Sequence, residues 1–467
     1  MPPENLSALF DRLRRAADAQ TEVPWPLRQD RLQRLAKMLR EQRLAIAEAI
    51  DADFSGRSRH ETDLLELFPS LAGIRHALKH GKKWMRPRKV ATEWYFWPGK
   101  SRILPQPLGL VGIVSPWNYP LYLVAGPLTG AFAAGNRAMV KVSEFTPAFA
   151  RWLADAAPRY FAEDELAVVC GGADTAAAFT ALPFDHLLFT GSTEIGKKVM
   201  RAAAEHLTPL TLELGGKSPT LLLEDADIRA AAARVMSGKL VNAGQTCIAP
   251  DYVLLPEAAK AEFTAAAKQW VAAHYPQLAD NPDYSRIINP DQHQRLTGYL
   301  KQAQQGGAQV MALGASAEGE NGTTLLPPYL VWDAPEDCRL MQEEIFGPLL
   351  PLVGYQSLDD ALAYIRARPR PLALYVFGRN PKEIERVLRQ SVAGGVTVND
   401  TLLHIAQDNL PFGGVGPSGM GAYHGQAGFD TFSHLKPVFY QARFNSMGLL
   451  APPYGRVFRL LLKVLLR

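Results

Sequence analysis

Three side chains in this sequence have the type and setting for chemistry at a carbonyl carbon. Cys247, in NAGQTCIAP, lies among small and polar residues rather than inside an apolar run, and Gly244 lets backbone come close to whatever binds there. As a thiolate it would be a nucleophile. Glu213, in TLELGGKSP, ends an apolar run directly before Gly-Gly, which puts a carboxylate at a sheet edge where partial burial suits a general base. Its other reading is a helix-capping acid or an ion pair with Lys217. Asn118, in SPWNYP, stands in a strand-end turn, where its amide N–H and a backbone N–H can meet a developing oxyanion; Asn beside Pro is also an ordinary turn former. Cys170 ends the run LAVVC and Cys338 lies in PEDCRL, and both read as inert small packing groups. Three cysteines, odd in number and far apart, argue against a disulfide framework and for a reducing compartment.

These residues need elements that hold them together. Residues 4 to 85 read as helices, with Leu32, Leu35, Leu39, Ile46 and Ile50 recurring on one face. From Leu108 short apolar runs (LGLVGIVS, AMVKV, LAVVC, HLLFTGS, PLTLELGG) alternate with helical stretches such as 146 to 162 and 194 to 206, the texture of βαβ units around a parallel sheet. The GSTEIGK segment follows one such run and opens a helix, so backbone N–H groups at Gly191, Ser192 and Gly196 can cradle a phosphate. It lacks the middle glycine of the usual dinucleotide fingerprint, and Thr193 as a plain helix cap is the alternative. A second α/β stretch runs from about 220 to 428, and ATEWYFWPGKSRILPQP and FDTFSHLKPVFYQARF read as extended excursions. His76 and His80 have metal-pair spacing but no third ligand, so no metal is expected.

Composition narrows the class. The chain has 467 residues, 47% hydrophobic and 21% charged, with 50 Lys+Arg against 46 Asp+Glu. That length calls for more than one domain, and a net charge of +4 with no dense basic block in the body makes nucleic acid a poor partner. The N-terminus has no apolar core of signal length and no stretch of 18 apolar residues occurs, so a cytoplasmic location is expected.

SPWNYP, KVSE, FTGSTEIG, LELGGKSP, GQTCIAP, EEIFGP and PFGGVGPSGMGAYHG, in this order over nearly the whole chain, resemble the NAD(P)-dependent aldehyde dehydrogenase superfamily. GAYHGQAGFDTFSH and APPYG look like its class 3 branch. GRSRHETDLLELF, APDYVLLPE and TFSHLKPV look most like the coniferyl aldehyde dehydrogenase group. The resemblance implies an α/β fold with a doubly wound cofactor domain (1–89 and 105–214), a catalytic α/β domain (215–428), a β-arm for oligomerisation (90–104 and 429–444) and a C-terminal tail (445–467).

It implies Cys247 as nucleophile, Glu213 as the base that activates hydrolytic water, and Asn118 with the Cys247 N–H as oxyanion donors. Lys141 and Glu144 would contact the adenosine ribose, Gly191, Ser192 and Gly196 the pyrophosphate turn, and Glu344 and Phe346 the nicotinamide ribose. Val142 stands where proline is usual in the family. Glu144 favours NAD over NADP by repelling a 2′-phosphate, although class 3 enzymes accept both. Tyr119, Tyr122 and His424 are expected around an aromatic, coniferyl-type aldehyde, with medium- or long-chain aliphatic aldehydes as the alternative. A homodimer is expected from the arm, whose strand edges need a partner, with a tetramer as the alternative.

Two other classes stand against this reading. Cys247, Glu213 and Lys217 would also make a cysteine hydrolase, and a non-catalytic binding protein could keep the fold. The tail RVFRLLLKVLLR places Arg456, Arg459, Lys463 and Arg467 on one side of a helix. It is too short to span a bilayer and is expected to dock on its own or the partner subunit, with peripheral membrane contact as the alternative.

Overall fold

The computed structural model describes residues 3–314, 324–445 and 447–466. The lead-in is helical, at Pro3–Asp18, Trp25–Glu41, Arg43–Phe54, Arg59–Thr62 and Phe68–Trp84. Leu32, Leu35, Leu39, Ile46 and Ile50 are all buried, as the 3.6-residue spacing requires. Between Thr62 and Phe68 the chain makes a π-helical turn, Asp63–Leu67.

A six-stranded sheet follows, with spatial order Gly419–Met420, Leu210–Leu214, His186–Gly191, Leu110–Val114, Arg137–Lys141, Leu166–Val169. The last five are parallel to one another. Their residues are almost all buried because helices cover both faces; all five residues of Leu110–Val114 are apolar or glycine and buried. Chain order reverses between Leu110–Val114 and His186–Gly191, so a crevice opens at their carboxyl ends, where doubly wound sheets bind ligands. A second sheet of seven strands carries Pro219–Leu222, Tyr252–Pro256, Gln309–Ala312, Tyr329–Trp332, Leu349–Tyr355, Ala373–Phe377 and Gly395–Val398. Arg88–Val90, Lys100–Pro107 and Ser433–Tyr440 form a third, antiparallel sheet.

The sheets draw some segments differently from the sequence. Gly419–Met420, assigned by number to the catalytic unit, pairs antiparallel with Leu210–Leu214 at the edge of the cofactor sheet. Residues 429–431 belong to the helix Gly425–Thr431 rather than to an extended arm, because Phe429 is fully buried and packs on Trp84. Trp94–Phe96 is a 3-10 turn, and the arm strand continues beyond residue 104 to Pro107. Trp94, Trp97, Phe439 and Tyr440 stand exposed on this arm.

The tail forms the helix Arg456–Leu465, of which no residue is buried; Val457, Leu460 and Val464 are more than half exposed. Docking of this helix on the body of its own chain is therefore not what the structure has. Arg467 lies outside the described residues. Among the described residues no helix is long and apolar enough to cross a membrane. The three cysteines form no disulfide, and Cys338 is buried.

Candidate active site

Asn118, Glu213 and Cys247 come from three separate segments of the chain and line one cleft, of about 240 Å³, together with Gly191, Ser192, Glu344 and Phe346. Asn118 follows the strand Leu110–Val114. Its carbonyl accepts from Arg57 Nη1 at 3.1 Å and Asn242 Nδ2 at 2.9 Å, and its own Nδ2 donates to Gln245 O at 3.1 Å. An amide has two N–H groups, so the second remains for a ligand. The segment before Cys247 is a tight turn in which Asn242, Ala243 and Gly244 have φ of 51°, 50° and 75°. Gln245 fixes it, donating to Asn242 O and Arg286 O and accepting from Ile288 N.

The electrostatics are those of a dry site. Burial pushes the Cys247 thiol up, helped by Glu344 and Glu213, while its own N–H and that of Ile248 favour the thiolate. Glu213, last but one in Leu210–Leu214, is 2% exposed, and both its carboxylate oxygens lack a partner. Burial raises it well above the usual carboxylate range. Lys217 does not pair with it: Lys217 Nζ bonds to Asp251 and to the carbonyls of Leu340 and Glu343.

The cofactor-side residues sit where strands end. Lys141 closes Arg137–Lys141 and is 3.0 Å from Glu144, whose side chain is half-exposed. Gly191 ends its strand, and Ser192 caps the helix Thr193–Ala204 by accepting from Ile195 N. Gly196 faces the other way: it is buried under Leu214, where a Cβ would come within 2.8 Å of Leu214 Cδ2, so it sets helix-to-sheet packing rather than touching a phosphate. Val142 is buried, so the loop after Lys141 is fixed by packing. Glu344 accepts from Gly216 N–H, has Oε1 buried without a partner, and is pushed up to about 8 by burial and by Asp251. Phe346 holds φ of 51° and meets Trp117 edge-on at 5.3 Å. An open helix N-terminus, an unpaired carboxylate oxygen and an apolar wall fit a pyrophosphate, a ribose hydroxyl and a nicotinamide ring.

The three residues expected around substrate are divided. Tyr119 is buried with its hydroxyl 2.6 Å from Thr246 Oγ1 and its ring against Arg57, which makes it scaffold. Tyr122 and His424 do meet, hydroxyl to Nε2 at 3.1 Å, and line a second pocket with Trp84, Asp408 and Tyr423. Tyr423 was not picked out from sequence; its hydroxyl is buried without a partner, and burial pushes it well above the usual tyrosine range. Arg57, Asn242, Gln245 and Arg295 were also missed, because isolated polar residues in helical or loop text look solvated. His76 and His80 meet at a tilt, 4.6 Å between ring centres, and His80 stacks on Trp84.

A reversal crevice fitted for a dinucleotide, with a cysteine, a buried carboxylate and an amide donor at one end, is the setting of an NAD(P)-dependent dehydrogenase. The chain belongs to the aldehyde dehydrogenase family, whose model matches residues 3–438. It is an NAD(P)-dependent aldehyde dehydrogenase. It is 52% identical over 463 residues, 99% of this chain and 96% of the relative, to a Pseudomonas aeruginosa protein described as "Probable coniferyl aldehyde dehydrogenase". A coniferyl aldehyde dehydrogenase of Pseudomonas sp. strain HR199 is 48% identical, with 99% of this chain and 96% of the relative covered. The solved structure of Staphylococcus aureus AldH in a substrate-bound state superposes with a TM-score of 0.93 at 40% identity, covering 99% of each chain.

Proposed function

We propose that the enzyme oxidises an aromatic, coniferyl-type aldehyde to its carboxylate with NAD. The observation that carries the mechanism is the convergence of Cys247, Glu213 and Asn118 in one cleft with Gly191, Ser192 and Glu344. Cys247 first gives up its thiol proton to water in the cleft; the thiolate Sγ then adds to the aldehyde carbon and gives a thiohemiacetal, whose oxyanion is held by Asn118 Nδ2 and the Cys247 N–H. The bound nicotinamide supplies the hydride acceptor. Loss of hydride from the thiohemiacetal carbon leaves a thioester on Cys247. Glu213 takes a proton from water, the resulting hydroxide adds to the thioester, and the carboxylate leaves as the thiol is restored.

The substrate class rests on the two coniferyl relatives and on the aromatic lining, with Trp117 at the cleft and Tyr122 and Tyr423 in a second pocket. Preference for NAD rests on Glu144, half-exposed beside Lys141, which can accept from a ribose 2′-hydroxyl and repels a phosphate there. A panel of cinnamyl, benzyl and medium- to long-chain aliphatic aldehydes with NAD and NADP, ranked by kcat/KM, tests both. Cinnamyl aldehydes with NAD should lead, and aliphatic aldehydes or NADP in first place would overturn the respective assignment. The cysteine hydrolase alternative loses its lysine, since Lys217 is held by Asp251.

The exposed aromatic arm supports a homodimer, with the open strand edges covered by the partner. For the tail helix, the exposed apolar face leaves the partner subunit or a membrane surface as its seat. Co-sedimentation of the full chain with anionic liposomes, against a chain ending at Pro453, separates them. Equal binding by both chains excludes the membrane.

A further inference from the structure

We propose that Arg57, Glu61 and Glu66, on the helical lead-in, are positioning residues that hold Asn118 and the nucleophile turn in register with each other. The contacts are specific to that task. Arg57 Nη1 donates to Asn118 O at 3.1 Å and is paired with Glu66 Oε1 at 2.8 Å. Glu66 Oε2 accepts from Leu121 N at 2.7 Å and Tyr122 N at 3.2 Å. The carbonyl of Asn118 and the two N–H groups that open the next helix are thus tied to one ion pair. Those N–H groups have no partner within their helix, so a carboxylate there also meets the positive end of the helix dipole.

Glu61 secures the other side. Its Oε2 accepts from Asn242 N at 3.0 Å and from Ser285 Oγ at 2.8 Å. Asn242, held at positive φ, in turn donates from Nδ2 to Asn118 O at 2.9 Å and to Gln245 O at 3.3 Å. Asn118 and the turn leading to Cys247 therefore share both a direct link and a common support. Glu61 lies in the helix Arg59–Thr62 and Glu66 five residues on, in the π-helical segment Asp63–Leu67; Glu66 pairs with Arg57 while Glu61 holds the Asn242 turn.

Stability alone does not account for this arrangement. Arg57 and Glu66 side chains are 0% exposed, and the guanidinium leaves Nε and Nη2 unpartnered between the ring faces of Phe54 and Tyr119, each 5.0 Å away. A buried ion pair of this kind is often no more stable than well-packed apolar residues of the same volume. What apolar residues cannot do is orient a carbonyl and two N–H groups.

The inference rests on Asn118 acting as an oxyanion donor, and a double-mutant cycle separates the two claims. Asn118→Ala and Glu66→Gln are made singly and together in the full-length enzyme, and kcat/KM for the aldehyde and Kd for NAD are measured. Glu66→Gln should lower kcat/KM by about 10- to 100-fold, a partial loss of an oxyanion donor, with NAD binding unchanged. In the Asn118→Ala background it should add less than about twofold, as expected of groups acting through one another. Multiplicative losses would overturn the positioning role while leaving the mechanism standing; an unchanged rate for Asn118→Ala would overturn both. The paired variant Arg57→Met/Glu66→Leu guards against misfolding. It should unfold at or above the parent temperature and still show the lowered kcat/KM, and full activity in that folded variant would refute the proposal.

Discussion

Lys217 bonds to Asp251 and turns away from Glu213, although Glu213 precedes it in the same LELGGKSP segment. Both Glu213 oxygens are left buried without a partner. The lysine instead ties the Leu340 and Glu343 carbonyls, and Asp251 accepts from Ile345 N at 3.0 Å, so this pair braces the backbone on both sides of Glu344.

Removing the lysine from that brace, as in Lys217→Met, leaves Asp251 buried and unpaired. The expected cost is about 3–5 kcal/mol, the usual penalty for breaking a buried pair. Chemical denaturation of the variant measures it. A loss below about 1 kcal/mol would show that the Asp251 charge finds water or another partner.

Glu213 should make both rate and stability depend on pH. A base works only when ionised, so with its pKa raised well above the usual carboxylate range by burial thioester hydrolysis should accelerate as pH rises above that range. Stability runs the opposite way. Below the ordinary carboxylate pKa, about 4.3, the group is neutral in the folded and unfolded chain alike. Between that value and the raised one the folded chain holds the extra proton, so stability falls as pH rises. Glu213→Gln should match the parent's unfolding temperature at pH 4, exceed it at pH 8, and lose steady-state turnover while keeping a first-turnover burst of NADH. Loss of the burst would assign Glu213 to acylation instead.

Cys247→Ser should abolish NADH formation, by at least about 10³-fold, the scale on which nucleophile loss is felt. Because burial and two glutamates hold the thiol protonated, alkylation by iodoacetamide should be slow at pH 7 and climb steeply toward pH 9. Rapid labelling at pH 6 would contradict the neutral thiol.

Gly244 is a position that no other residue should fill. At φ of 75° a Cβ there would lie 2.4 Å from the Gly347 carbonyl oxygen, where the nucleophile turn touches the Glu344–Phe346 loop. Gly244→Ala combines left-handed strain of about 1–3 kcal/mol with that clash. It should lower the unfolding temperature and weaken NAD binding together. Separation of the two effects would mean that the turn and the loop are not coupled.

Much of this was legible in the residues themselves. Apolar runs of parallel-strand length, the helical spacing of Leu32 to Ile50, and Cys247 in a polar context where Cys170 is not all follow from local rules of burial and periodicity. Pairwise neighbours across the chain are not local. Arg57 and Glu66 read as ordinary charges in GRSRHETDLLELF, and only the fold buries them against the Asn118 turn. Gly196 sits within a phosphate-loop pattern, yet its missing Cβ serves the packing of Leu214.

Sequence by itself determined which residues could do chemistry and that strand ends would carry them, because nucleophilicity, charge and alternation are properties of side chains and their near neighbours. Tertiary structure decided which carboxylate stays unpaired, which lysine is engaged elsewhere and which tyrosine is scaffold. Those outcomes depend on desolvation and on contacts between segments 34 residues apart for Lys217 and Asp251 and 127 apart for Tyr119 and Thr246, which no local pattern encodes.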